Sequence, residues 1–223
     1  GNLNVTISGL TIANGRHRGA DAMALGANGF GGGILNDSAG TLSITDSILS
    51  GNAAIGGDGQ ASGSGANGGI GNGGGIYNRS TGTVTITNST LSGNSATGGN
   101  NNPDIGVVNV FGGEGNGGGV YNNGAATKIN NTLVFSNSAT GDGGGIYNIG
   151  AGSVLTVTAS LIQMNTAGDG GGGIHNRDAV AVISNTLVYS NSALFGGGIW
   201  SNGGTSRVTV DGNSRITANV ASS

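Results

Sequence analysis

Cysteine is absent from the 223 residues, and proline, tryptophan and lysine (Lys128) occur once each. Without cysteine there is no disulfide framework and no thiolate metal site. Seven Lys and Arg against ten Asp and Glu leave a net charge of −3, so the basic footprint of a nucleic-acid partner is missing. No apolar run reaches the length of a membrane span. Apolar residues at 3.6 spacing, the mark of an amphipathic helix, are missing too.

Glycine is what the chain has in abundance, 51 residues of it, with no G-x-y period that would indicate collagen. The glycines cluster in a recurring phrase. GGGILN (31–36), GGGIYN (73–78), GGGVYN (117–122), GGGIYN (143–148), GGGIHN (171–176) and GGGIWS (196–201) are six copies of one motif. The apolar residues Ile34, Ile76, Val120, Ile146, Ile174 and Ile199 are separated by 42, 44, 26, 28 and 25 positions. A unit of 25 to 28 residues therefore repeats, twice lengthened by an insertion. A repeat at such a period identifies a solenoid, whose units bury their apolar faces only against one another.

Short period-2 runs such as TVTIT at 83–87, cut by Gly and Asn, are strand and turn language. Val5/Ile7, Leu42/Ile44, Val84/Ile86, Thr127/Ile129, Leu155/Val157, Ala181/Ile183 and Val208/Val210 align as one inward pair. Ile12, Leu49, Leu91, Val134, Ile162, Val188 and Ile216 align as another column. The expected fold is all-β: a right-handed parallel β-helix of about seven coils, three short strands per coil, in one domain spanning 1–223. Long loops, 15–30, 53–72 and 95–116, leave one corner of three consecutive N-terminal coils and are expected to project side by side. The chain starts and stops inside the pattern, which suggests a processed piece of something longer.

Asn52, Asn94, Asn137, Asn165, Asn191 and Asn219 each follow the last apolar column by three residues and are expected to stack as a structural ladder. Next to the inward aliphatic of each motif lies Leu35, Tyr77, Tyr121, Tyr147, His175 or Trp200. Facing outward, this stripe would serve sugar stacking or a protein contact, or simply stabilise the sheet. The apolar run Ile105, Val107, Val108, Val110 and Phe111 makes the third loop another candidate contact, although loops so rich in glycine would equally serve as padding. No cofactor motif is present. Structural calcium has no support beyond the Asp-Gly turns at Asp142 and Asp169, which are the candidate cation ligands and the nearest thing to a catalytic carboxylate pair. No residue is singled out as catalytic.

The opening GG-x-[IV] and closing [LIV]-x-x-N of each coil, as in 73–76 with 91–94 and 143–146 with 162–165, resemble the GGA[ILV] and FxxN repeats of polymorphic outer-membrane proteins. They are equally similar to secreted bacterial right-handed parallel β-helix repeat proteins. A third glycine stands where that pattern has Ala, and smaller apolars where it has Phe. The resemblance implies a surface-exposed passenger for adhesion or coating, with no defined active site. The expected function is an extracellular, non-enzymatic structural component of a cell-surface fibre, sheath or stalk. Self-association, head-to-tail or lateral, would be its partner chemistry. The alternatives are a monomeric adhesin binding surface glycans, a polysaccharide-degrading β-helix enzyme, and an ice-binding rod whose Thr-rich face is broken by Lys128, Val182 and Asp211.

Overall fold

A computed structural model describes residues 2–23, 25–60, 67–79, 81–101 and 112–222, and it is a parallel β-helix of about seven coils. Every strand pair between coils is parallel and in register. The longest strands, Val5–Ser8, Thr41–Thr45, Thr83–Thr87, Ala126–Asn130, Val154–Thr158, Val180–Ser184 and Arg207–Asp211, form a seven-stranded first sheet. The motif strands from Ile34–Asn36 to Ile199–Asn202 form a six-stranded second sheet. Those from Thr11–Ala13 to Arg215–Thr217 form a seven-stranded third sheet. At about 4.8 Å per rung the stack is roughly 30 Å tall.

The alternation read from the sequence decides which residues enter the core. Val84, Ile86, Leu91, Ile76, Ile129, Val134, Ile146, Leu155, Ile162 and Ile174 are buried in one continuous cluster running through the coils. Their vertical partners are like residues: Ile76 pairs with Val120, Val120 with Ile146, and Ile146 with Ile174.

Left-handed corners hold the strands apart. Asp46, Asn88, Asn131 and Asn185 turn between the first and third sheets at φ 45° to 50°, where Asn and Asp are the tolerated side chains. The first glycine of each motif is another left-handed corner, Gly73 at φ 69°. There a Cβ would overlap the Ile76 carbonyl, so glycine is required by space as well as by conformation.

Two expectations need correction. Each coil carries a fourth strand beyond the three expected. Arg16–Arg18, Ala53–Ile55, Ser95–Thr97, Ser138–Ala139, Thr166–Ala167, Ser192–Ala193 and Val220–Ala221 make a fourth sheet, of seven strands. The three insertions are also not simple projecting loops. Each leaves as a fourth-sheet strand and returns through Gly29–Phe30, Gly71–Asn72 or Gly115–Asn116, a three-stranded sheet of their own.

Outbound and returning arms interleave through backbone hydrogen bonds: Gly57 N–H to the Ala27 carbonyl (2.7 Å), then Gly69 to Gly57, Gly99 to Gly69 and Gly113 to Gly99, each 2.8 Å. A Cβ on Gly57, Gly69, Gly99 or Gly113 would strike a neighbouring backbone carbonyl. The glycine richness of the insertions is thus a packing requirement.

Candidate functional site

The polar side chains of the coil are organised in vertical ladders. Asn52 Nδ2 donates to Asn94 Oδ1 (2.9 Å), Asn94 to Asn137 (2.9 Å), Asn137 to Asn165 (3.0 Å), Asn165 to Asn191 (2.9 Å) and Asn191 to Asn219 (2.9 Å). Each amide also donates to a main-chain carbonyl of the preceding coil, as Asn137 does to Leu91 (2.9 Å). From Asn94 onward each Oδ1 accepts the preceding asparagine's backbone N–H, as Asn137 does from Asn94 (3.0 Å), while Asn52 Oδ1 accepts the Gly15 N–H (2.9 Å). An interior amide so placed has both its hydrogens and both its lone pairs in use, which is the condition for burying it. The ladder is therefore as the sequence led one to expect. A second ladder runs through Asn36, Asn78, Asn122, Asn148 and Asn176, with amide contacts of 2.7 to 2.9 Å.

A third ladder went unread in the sequence. Ser47, Ser89, Thr132, Ser160 and Thr186 are buried, and each hydroxyl donates to the carbonyl two residues back at 2.7 to 2.9 Å. Each also accepts the backbone N–H of its counterpart one coil earlier, as Ser160 does from Thr132 at 3.2 Å. The signal was present: a Ser or Thr stands one residue after each of five consecutive corners, Asp46, Asn88, Asn131, Ala159 and Asn185.

The aromatic stripe differs from expectation. Tyr77, Tyr121 and Tyr147 are 3 to 7% exposed, His175 is fully buried, and Trp200 is half-buried. Their side chains point away from the aliphatic core but into a second cluster, where Phe30 of a returning strand and Ile149 pack on them. Ring centroids step from Phe30 to Tyr77 (5.0 Å), Tyr121 (5.0 Å), Tyr147 (5.3 Å), His175 (4.8 Å) and Trp200 (4.3 Å). The stripe is an interior column, unavailable to a ligand at its middle rungs. Burial raises the Tyr77 and Tyr121 hydroxyl pKa values. It also raises that of Tyr147 to about 12, with the Asp142 carboxylate adding to the effect and Arg177 opposing it. The other contact candidates, Ile105, Val107, Val108 and Phe111, lie outside the described residues.

Asp142 is buried and turned toward the aromatic column, whereas Asp169 is exposed. The partner of Asp142 is His175 rather than Asp169: Asp142 Oδ1 accepts the Gly170 N–H (3.0 Å) and lies 3.2 Å from His175 Nδ1. That contact lacks hydrogen-bond alignment, and Nδ1 has no other partner among the described residues, while Nε2 meets Asn202 Oδ1 at 2.9 Å. Among the described residues no group of three or more His, Asp or Glu is placed to hold a metal ion. Surface charges pair locally, Arg18 with Asp21 (2.7 Å) and Asp58 (2.8 Å), and Arg79 with Asp37. The Asp58 backbone N–H, then Arg18, lower the Asp21 pKa, and Arg79 lowers that of Asp37.

No protein-family model matches the chain, and no curated protein or solved structure does. The chemistry must be read from the surface that remains open. Leu35, at the N-terminal end of the aromatic column, is 47% exposed. The third sheet exposes Ile48 at 45% and Tyr189 at 41%.

Proposed function

We propose that the chain is a structural and adhesive rod: an extracellular, non-catalytic β-helix that builds a surface fibre, sheath or stalk. The observation that carries this reading is the unbroken vertical bonding. Two asparagine ladders, a hydroxyl ladder and an aromatic column link successive rungs, so load along the axis is shared by side chains as well as backbone. The resemblance of the GG-x-[IV] and [LIV]-x-x-N repeats to secreted bacterial β-helix proteins supports a cell-surface location. Exposed apolar residues at the end rungs, Val5 at one end and Val210 and Ile216 at the other, suit stacking on a further rung, whether of the same polypeptide or a second copy.

Negative-stain electron microscopy and sedimentation of the purified chain over a wide concentration range test the assembly. Rods that lengthen with concentration are expected. Strictly monodisperse monomers at high concentration would remove the fibre and leave a monomeric adhesin. Release of sugar from a polysaccharide would overturn the non-catalytic reading.

A further inference from the structure

The lateral face of the third sheet breaks the pattern of a solvated strand face. Outward positions of the first sheet are mostly Thr and Ser, such as Thr85, Thr87, Thr156 and Thr158. The equivalent outward column of the third sheet places Leu133, Leu161 and Leu187 over one another on three consecutive coils, each only partly buried. These leucines form one wall of a shallow groove of about 610 Å³ that runs across five rungs. Its other wall is the left-handed corner, with the side chains of Asn88, Asn131 and Asn185. Its floor is the hydroxyl ladder, whose hydrogen bonds are already committed to the protein.

We infer that this groove binds a neutral, linear, β-linked polysaccharide lying along the rod axis. Asn131 Nδ2 donates to Asn88 Oδ1 at 2.8 Å, leaving the Asn131 carbonyl and the Asn185 amino group with no partner among the described residues. An amide wall facing an aliphatic wall matches a sugar ribbon, which has hydroxyls at its edges and C–H groups on its faces. Along the corner the amides of Asn88, Asn131 and Asn185 are interrupted by Ala159 on the rung between Asn131 and Asn185. They therefore recur every one or two rungs, about 4.8 or 9.6 Å, and an extended β-linked hexose chain advances by about one or two sugars over those distances. Arg215, at one end of the groove, is its sole charged lining residue, which fits an uncharged ligand. An added peptide strand fits poorly, because it needs an open backbone edge, whereas the third sheet's strands are paired along the stack.

The inference deepens the adhesive side of the proposed function and rests on the chain being surface-displayed. The test is calorimetric titration of the whole chain with β-1,4-linked glucose oligosaccharides of two to six sugars. Affinity should rise with length until the groove is filled. The double variant Asn131→Gly, Asn185→Gly keeps the left-handed corners and should weaken hexasaccharide binding about tenfold or more. Leu161→Ser should also weaken it, each variant being checked for native circular dichroism. Absence of length-dependent binding by correctly folded protein overturns the inference. So does concentration-dependent dimerisation abolished by Leu161→Arg, which would assign the face to a second copy. Rods without oligosaccharide binding would defeat this inference alone, and binding without rods would defeat only the fibre.

Discussion

Replacing Asn137 tests the ladders where they are most demanding. Its side chain is 1% exposed and takes part in four side-chain hydrogen bonds. It donates to Leu91 O (2.9 Å) and Asn165 Oδ1 (3.0 Å), and accepts from Asn94 N (3.0 Å) and Asn94 Nδ2 (2.9 Å). In Asn137→Ala the Leu91 carbonyl, the Asn94 N–H and one Asn94 amide hydrogen lose their partners in the interior. At about 1–3 kcal/mol for each buried group left unmade, and allowing for relaxation, the cost is about 3–6 kcal/mol. That is a large part of the stability of an ordinary domain.

Asn137→Asp keeps the shape but turns two donors into acceptors facing Leu91 O and Asn165 Oδ1, so at neutral pH it should cost at least as much. The new carboxyl would have a folded-state pKa above its unfolded value of about 3.9. Native protein then binds more protons than unfolded chain between those two values, and the variant's stability should fall as pH rises through that window. Acidification from pH 7 toward 4 should therefore recover part of the loss relative to wild type. Urea unfolding followed by far-UV circular dichroism measures both effects. A loss below about 1 kcal/mol for Asn137→Ala, or an Asn137→Asp variant insensitive to pH, would refute the reasoning.

The glycine stack makes a sharper claim than flexibility would: Gly99→Ala should destabilise strongly, because its Cβ would strike the Gly57 carbonyl, whereas Gly204→Ala, with open space around it, should be neutral in the same unfolding assay. His175→Ala should cost about 3–5 kcal/mol by opening a cavity in the aromatic column, while His175→Phe, which keeps the ring but forfeits the Nε2 contact with Asn202 Oδ1, should cost only about 1–2 kcal/mol. The raised tyrosine pKa values favour the native state while the hydroxyls are protonated. That contribution should be complete below about pH 10 and lost as pH climbs toward 12. Thermal unfolding monitored across that range, with Tyr147→Phe flattening the slope, checks it.

The solenoid was legible because the repeated motif places one aliphatic per rung, from Ile34 to Ile199, and alternation in runs such as Thr83–Thr87 reveals which residues face inward. The Asn52 to Asn219 ladder was legible for the same reason, since a buried amide needs an identical neighbour to satisfy it. The fourth sheet was not legible. A strand as short as Ser138–Ala139 cannot display a period of two. The burial of Tyr77, Tyr121 and Tyr147 was missed because alternation distinguishes the faces of one sheet but cannot reveal a second layer folding over the outer one. That layer includes Phe30, on the returning arm of the first insertion, and Ile149 of a motif strand. The groove beside Leu133, Leu161 and Leu187 went unread because only the inward column beside them, Val134, Ile162 and Val188, was followed along that strand.

Vertical register is the claim beneath every other statement, and the cysteine-free chain makes it directly measurable. Lys128 and Thr156 are in-register partners on adjacent coils. At about 4.8 Å apart, cysteines there fall within the Cα range of a disulfide. Under mild oxidation, Lys128→Cys with Thr156→Cys should form an intramolecular disulfide rapidly and almost completely. Lys128→Cys with Thr158→Cys, displaced by two residues, should remain reduced. Equal cross-linking of the two pairs, or preference for the displaced one, would contradict the stacked register.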